Sequence, residues 1–434
     1  MEIITRVVTR CFGQTNGELL VGDMPISALA HTYGTPCFVH HRTALDRQWE
    51  RLRTCLPREF SIYYSVKANP ALGLLRHFLQ KGSGLEIASG GEFHLALRAG
   101  CSPDRIIFAG PGKTDAELEM VIKQNIGEIH VESTRELERV SSLSTRLGKT
   151  AGISLRINPS GDAQGGAMRM GGKPAAFGID EEQMDAAVDL ARRLPSLAIH
   201  GVHLFAGTQI LDHTILLTQY RKGIEIGKRL SARVGRPIRT LDFGGGLGIP
   251  YFPQDQDLNL GELQLGLDRL MADVQHDPLL KGTRFIVEPG RFLVGEAGVY
   301  VTRVTDIKVS RGKRFVILDG GMHHHLAASG NLGQTIKRNF PIAALTKLGQ
   351  PESPPVTVAG PLCTPLDTIG REVALPELAV GDLVGVFQAG AYTRSASPVG
   401  FLSHPTPPEL LVAGGNVQVI RRRGTYDDLH ADMV

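Results

Sequence analysis

The run SIYYSVKANP at 61–70 ends a strand-like stretch on Lys67, followed by a small residue, an Asn and a Pro. A lysine is rarely fully buried without a partner. Its amine either snorkels to water at the strand end or points into a pocket, where the deprotonated form makes a Schiff base with a carbonyl. Arg156 in ISLRINP and His203 in IHGVHLF stand within or at the end of further strand-like runs. Taken singly, His203 reads as a satisfied core histidine, and Arg156 as the answer to a carboxylate such as Glu86. Polar residues at the C-terminal ends of barrel strands, however, converge on one mouth. LDFGGGLG at 241–248 sets Gly244, Gly245 and Gly246 after an apolar strand. Such bare backbone makes a tight turn or wraps its N–H groups around a phosphate. It has neither the dinucleotide spacing nor a Walker lysine. EPGR at 288–291 ends another strand. It reads as a hairpin turn with a surface ion pair. Alternatively, Glu288 keeps a ring nitrogen protonated and Arg291, past Gly290, clamps an oxyanion.

LDGGMHHHL at 318–326 invites a metal reading. His323, His324 and His325 cannot all close on one ion from a strand, because neighbours face opposite sides. Asp319 adds a ligand to one of them at most, so no metal is expected. Two later loops are rich in small residues: GPLCTPLDTIG at 360–370, with Cys363 and Asp367, and FQAGAYTRSASP at 387–398, with Tyr392. Loops of this kind carry function more often than scaffold. A lone Cys363 is by itself a small buried hydrophobe before it is a nucleophile. The segment 160–175, SGDAQGGAMRMGGKPA, reads as an exposed crossover or a mobile flap over a site.

The elements that must position these residues follow from the pattern. The 434 residues are 42 % hydrophobic and 21 % charged, which suits a globular protein of two domains. A formal charge of +3, with no basic run interleaved with aromatics, gives no argument for nucleic acid. Five irregularly spaced cysteines and no CxxC pair exclude a disulfide framework or thiolate zinc site. MEIITRVVTRCFGQ has no signal-peptide core, and no apolar run reaches membrane-spanning length, so the cytoplasm is the expectation. From PCFVH at about residue 36, short apolar runs alternate with helical periods up to about 280, which predicts βα units in a parallel barrel or doubly wound sheet. After about 284 the runs are strand-like, so this part is mostly β. The first thirty residues begin no clean repeat and are expected to join the β part. The expected boundaries are 36–280 for a (β/α)₈ barrel, with 1–35 and 281–434 as the β domain.

With YYSVKAN, HLFAGTQ, DFGGGLG, EPGR, GPLC and GAY in this order, the sequence resembles the pyridoxal-phosphate decarboxylases of the alanine-racemase-like fold, fold type III. These include the diaminopimelate, ornithine and arginine decarboxylases. The resemblance runs from about residue 20 to 415. It implies pyridoxal 5'-phosphate as cofactor and Lys67 as its Schiff-base lysine. Glu86 and Glu92 match acidic residues near the cofactor, and Arg156 an arginine behind the ring. His203 matches a histidine of the site. Thr208 and Gly244–Gly246 match phosphate contacts, and Tyr392 a tyrosine near the phosphate. Glu288 matches the partner of the pyridine nitrogen, while Gly290 and Arg291 close the same region. Cys363 matches a cysteine that faces the active site from the partner subunit of a head-to-tail homodimer, and is the expected proton donor, with Lys67 as alternative.

Two positions depart from the common pattern. Phe205 stands where these decarboxylases carry a ring-stacking histidine; it can stack but not hydrogen-bond. Thr364 stands where diaminopimelate and ornithine decarboxylases carry an acid for the distal ammonium. Both departures resemble a narrower branch acting on glutamyl groups attached to an acyl carrier protein, or found near exopolysaccharide and natural-product gene sets. The expectation is therefore α-decarboxylation of an acylated or carrier-tethered amino acid. Arg291, Thr364 and Asp367 are expected at the substrate, Asp367 being an alternative receiver of an ammonium. The rival readings are a free diaminopimelate decarboxylase, a racemase and a non-enzymatic carrier of the cofactor.

Overall fold

The computed structural model describes residues 2–160, 168–169, 174–205, 207–334 and 337–434. The glycine-rich segment 160–175 lies almost wholly outside them. The chain divides into two compact units: residues 51–248 with 257–290, and residues 1–50 with 249–256 and 291–434.

The first unit is a closed eight-stranded parallel barrel. Its strands are Phe60–Ser65, Gly84–Ile87, Ile106–Phe108, Glu128–Val131, Ala151–Asn158, Leu197–Leu204, Thr240–Asp242 and Arg284–Val287. Pairing of Phe285 with Phe60 and of Ile286 with Ser61 shuts the ring, which removes the doubly wound alternative. The intervening helices start where the sequence supplies a cap. Ser89 accepts from the Glu92 amide, Thr114 and Glu117 form a reciprocal capping box, and Ser133 accepts from the Glu136 amide. Each such cap is worth about 0.5–2 kcal/mol. Helix faces pack on the outside of the strands, as where Phe78 stacks on Tyr64 with ring centroids 4.5 Å apart. Inside, Tyr63, Ile107 and Ile286 make a buried apolar cluster.

The second unit is mostly β. Its main sheet runs Thr368–Val373, Val356–Ala359, Lys313–Leu318, Gly298–Ser310, Cys37–His41, Glu409–Ala413 and Asn416–Arg421. The expected boundaries need two corrections. Cys37–His41, read as the start of the barrel, pairs with Gly298–Val301 and with Glu409–Val412 in this other sheet. The last barrel strand, Arg284–Val287, falls after residue 280. An apolar pentapeptide followed by a helix looks the same whichever sheet it joins, because period and composition carry no information about the partner strand. The chain opens on a helix, Glu2–Cys11, rather than a strand. No helix among the described residues is long and apolar enough to cross a membrane.

Candidate active site in the barrel and a cluster in the β unit

Strand register explains how distant residues meet. Ser65 pairs with Glu86, and the chain then turns through Val66–Ala68, so Lys67 comes back over the Glu86 carboxylate. Its Nζ donates to Glu86 Oε1 and Oε2, both at 3.1 Å. Ser65 Oγ donates to Oε2 at 2.5 Å and fixes the carboxylate. The Lys67 side chain remains 44 % exposed while that of Glu86 is 1 % exposed. The contrast with Lys113 is informative. That amine is buried and gives its protons to Gly110 O, His130 O and Glu136 Oε1, a structural lysine with no room to react. Glu92, expected beside Glu86, accepts instead from the Ala88 amide at 2.7 Å. Burial pushes its carboxyl up to about 7, with Glu86 adding to the effect against the Ala88 hydrogen bond.

On the opposite side of the barrel, His130 pairs with Ser154, which places Glu132 against Arg156 two residues on. Arg156 Nη1 donates to Glu132 Oε1 at 2.7 Å, so Arg156 answers Glu132 and not Glu86. The Gly110 amide also donates to Oε1, at 2.6 Å, and the Gly178 amide to Oε2, at 3.1 Å. Burial raises the Glu132 pKa, but Arg156 and Lys113 outweigh it and hold the group below the usual carboxylate range. The guanidinium lies 5.2 Å from the Phe177 ring centre and 5.9 Å from that of Phe205.

His203 pairs with both Arg156 and Asp242 in register. Its ring lies 4.3 Å from that of His130, and its Nε2 is 3.6 Å from Glu288 Oε2. Burial pushes His203 down to about 4, against the pull of Glu288, so it is neutral at pH 7. Burial, then the Glu288 charge, pushes Asp242 far above the usual range. Burial also acts on Glu288, but its pairing with His203, and with His130 behind it, outweighs it and holds the group below the usual carboxylate range. Glu288 Oε1 accepts no hydrogen bond among the described residues. A buried lone carboxylate oxygen is costly unless a charged donor comes to it.

Beside this triad the glycine turn leaves Thr240–Asp242. Gly244 has φ +69°, and a Cβ there would lie 2.6 Å from Leu204 O and 3.0 Å from the Phe205 ring. Phe205 therefore rests on the glycine turn as well as near Arg156. Gly244 N donates to Asp242 Oδ1, while the N–H groups of Gly245 and Gly246 find no acceptor among the described residues. Thr208 follows Gly207, whose carbonyl lies 3.1 Å from where a Gly246 Cβ would be. Gly290 packs on Lys67's own turn: a Cβ there would lie 2.9 Å from that of Ala68. An accessible amine, a partnerless buried carboxylate oxygen and a turn with unused N–H groups suit the aldehyde, pyridinium nitrogen and phosphate of pyridoxal phosphate.

In the β unit, Arg291 Nη1 donates to Tyr251 Oη at 2.9 Å, and the guanidinium lies 4.7 Å from the Tyr392 ring centre. Cys363 is exposed and unpaired, with Thr364 half-buried beside it. Asp367 is 3 % exposed, and its two oxygens accept from the amides of Met322 (2.6 Å) and Leu362 (2.8 Å). It staples two turns, with one amide donor on each oxygen. His323, His324 and His325 are buried and form no metal-ligating group with one another. Among the described residues the close ligand-type group is His130, His203 and Glu288, already described.

Sequence reasoning missed His130, Glu132, Asp242 and Tyr251. EIHVES does carry a signal. Glu128, His130 and Glu132 recur with period two, so an otherwise apolar barrel strand turns a polar face inward.

Comparison with known proteins agrees with this geometry. Residues 42–295 match the family model described as pyridoxal-dependent decarboxylase, pyridoxal binding domain. The chain is 40 % identical over 94 % of its length to an L-glutamyl-[BtrI acyl-carrier protein] decarboxylase of Niallia circulans, covering 95 % of that protein. It is 32 % identical to a diaminopimelate decarboxylase of Aquifex aeolicus, over 95 % of this chain and 94 % of that one. The crystal structure of diaminopimelate decarboxylase from M. jannaschii in co-complex with L-lysine superposes with a TM-score of 0.88 at 28 % identity, covering 98 % of this chain and 97 % of that one. With its closed barrel, lysine-bearing turn and glycine cradle, the chain belongs to the pyridoxal-dependent decarboxylases.

Proposed function

We propose that this decarboxylase removes the α-carboxylate of an amino acid whose distal end is acylated, as in a glutamyl group held on an acyl carrier protein. The observation that carries the reading is the neutral ground after Cys363. Thr364 offers no charge, and Asp367, the nearest acid in that loop, has both oxygens committed to backbone amides. A distal ammonium would lose a charged partner worth roughly 1.5–3 kcal/mol, a tenfold or greater change in preference. The glutamyl-carrier decarboxylase at 40 % identity supports the same substrate class.

In this reading Lys67 would hold the cofactor at its aldehyde, with Glu86 orienting the Nζ. The Gly245 and Gly246 amides, with Thr208, hold the phosphate. Glu288, beside His203 and Asp242, would face the ring nitrogen and favour its protonated form. Phe205 and Arg156 would flank the ring. Bound there, pyridoxal phosphate supplies the electron sink that accepts the pair released as carbon dioxide leaves. The residues' task is then to keep that charge on the ring, exclude water and return one proton to the α-carbon. Cys363, exposed in its own protomer, reaches a neighbouring site in a head-to-tail homodimer and gives that proton.

The test measures carbon dioxide release from glutamyl-loaded carrier protein, free glutamate, ornithine, lysine and diaminopimelate. Turnover is expected from the loaded carrier. Lys67→Ala should abolish both turnover and the visible absorbance of the purified protein. Efficient turnover of free diaminopimelate would refute the substrate assignment.

A further inference from the structure

Many surface cations of the chain face a carboxylate: Arg139 meets Asp115, Arg233 Asp189, Arg314 Glu377 and Arg422 Asp428. Lys337, Arg338 and Arg371 break this habit. They line one concavity of about 480 Å³ in the β unit, together with Phe252, and among the described residues none that lines it is acidic. Lys337 Nζ donates only to Thr368 O, at 2.6 Å. The Arg338 guanidinium lies 3.6 Å from the Phe252 ring centre, which fixes it without neutralising it. Asn339 holds Arg371 by its backbone, donating to Arg371 O at 2.6 Å and accepting from Arg371 N at 3.0 Å. The Arg371 side chain is left with no partner among the described residues. Asp367 is the carboxylate whose field reaches Lys337, from outside the lining of the concavity. Gathering three like charges costs energy unless an anion arrives.

The surroundings suit a protein rather than a small anion. A second cleft of about 380 Å³, lined by Phe340, Ile342 and Val373 with Lys347, Glu352 and Glu372 among its polar residues, shares Pro253 and Asn339 with the first. A charged rim beside an apolar cleft is the composition of a protein interface. Phe252 also adjoins Tyr251, ring centroids 6.3 Å apart, whose hydroxyl accepts from Arg291. The concavity is therefore one residue along the chain from the Tyr251–Arg291 pair.

We propose that the surface formed by Lys337, Arg338 and Arg371 receives an acidic face of the carrier protein that delivers the tethered substrate. The inference rests on the carrier-linked reading above. Cationic anchors of this kind set encounter rate and orientation more than chemistry.

The experiment uses the full-length holoenzyme and two variants, Arg371→Glu and Arg338→Gln/Arg371→Glu. Glutamyl-loaded acyl carrier protein is compared with a glutamyl-pantetheine thioester that lacks the protein. Both variants should raise KM for the loaded carrier, the double variant by about tenfold, with kcat retained. The wild-type rate should fall with added salt, and that of the double variant much less. Turnover of the pantetheine thioester and the sedimentation coefficient should not change. An unaltered KM for the loaded carrier in the double variant would overturn the docking assignment, as would an equal loss on the thioester. Loss of self-association would give the face to a second copy of this chain instead. If the wild type does not turn over loaded carrier, the substrate reading falls and this inference with it; if only the variants' KM is unmoved, the substrate reading stands.

Discussion

Replacing Arg156 by Ala tests whether the Glu132–Arg156 pair is part of the barrel's structural floor. The Glu132 side chain is 2 % exposed and that of Arg156 9 %, so the substitution strands a buried carboxylate. Breaking a buried pair from one side costs about 3–5 kcal/mol. Here Glu132 keeps two amide donors, from Gly110 and Gly178, which favours the lower end of that range. Loss of the cation from the Phe177 and Phe205 rings adds about 0.5–1 kcal/mol each. The expected destabilisation of the variant is therefore about 4–5 kcal/mol, read as a shift of the urea midpoint of the holoenzyme. Glu132→Gln/Arg156→Ala removes the stranded charge, keeps one carbonyl acceptor and should recover at least about 1 kcal/mol. The pH dependence follows with a definite sign. Glu132 in the wild type lies below its unfolded value of 4.5, so its contribution is present above that pH and is lost as pH falls through the lower folded value. Without Arg156 the folded value rises, and the acid loss moves to higher pH. A loss under about 1 kcal/mol, or a double variant less stable than the single one, would refute the buried-pair argument.

Asp367→Ala should lower stability by about 2–5 kcal/mol, because two buried amides lose their acceptor. Asp367→Asn should lose less, and in both variants the ranking of distal groups in the substrate panel should stay the same; a changed preference would restore Asp367 to the substrate. Acid should also weaken the fold from within. Burial holds His203 and His323 at about 4 and His325 at about 3, all below their ordinary 6.5. The unfolded chain then binds more protons, and stability should fall as pH drops from about 6.5 toward 4, by up to about 3 kcal/mol per histidine. A urea midpoint that is flat over that range would contradict the assignment of these histidines as buried and neutral.

The parallel alternation between residues 51 and 290 was legible because every βα unit repeats the same apolar run and helix start. Cys37–His41 was misplaced because its sequence fits either sheet. Lys67 was legible as a polar end to an apolar strand. Its partner was mispaired: Glu86 was offered to Arg156, whereas register gives Glu86 to Lys67 and Glu132 to Arg156. Only strand alignment fixes such pairs, since the carboxylates stand 46 residues apart in sequence and differ by nothing local. Asp242 was hidden inside the apolar-looking LDFGGG. Its role depends on Glu288 and His203, which arrive from other strands.

The two departures from the family pattern differ in what their surroundings permit. Phe205 is held by its neighbours. Its ring lies 3.0 Å from where a Gly244 Cβ would be, and the Arg156 guanidinium is 5.9 Å from its centre. A flat apolar ring is thus kept in place by a glycine turn and a paired cation, so its loss of hydrogen-bonding power is offset locally. Thr364 has no such compensation. The adjacent acid is consumed in stapling Met322 and Leu362 to its own loop, and the exposed neighbour, Cys363, carries no fixed charge partner. A substitution whose lost function is rebuilt nearby changes the means of binding. One whose lost function is rebuilt nowhere in its loop changes what is bound. By that criterion Phe205 belongs with retention of the cofactor, and Thr364 with the choice of substrate.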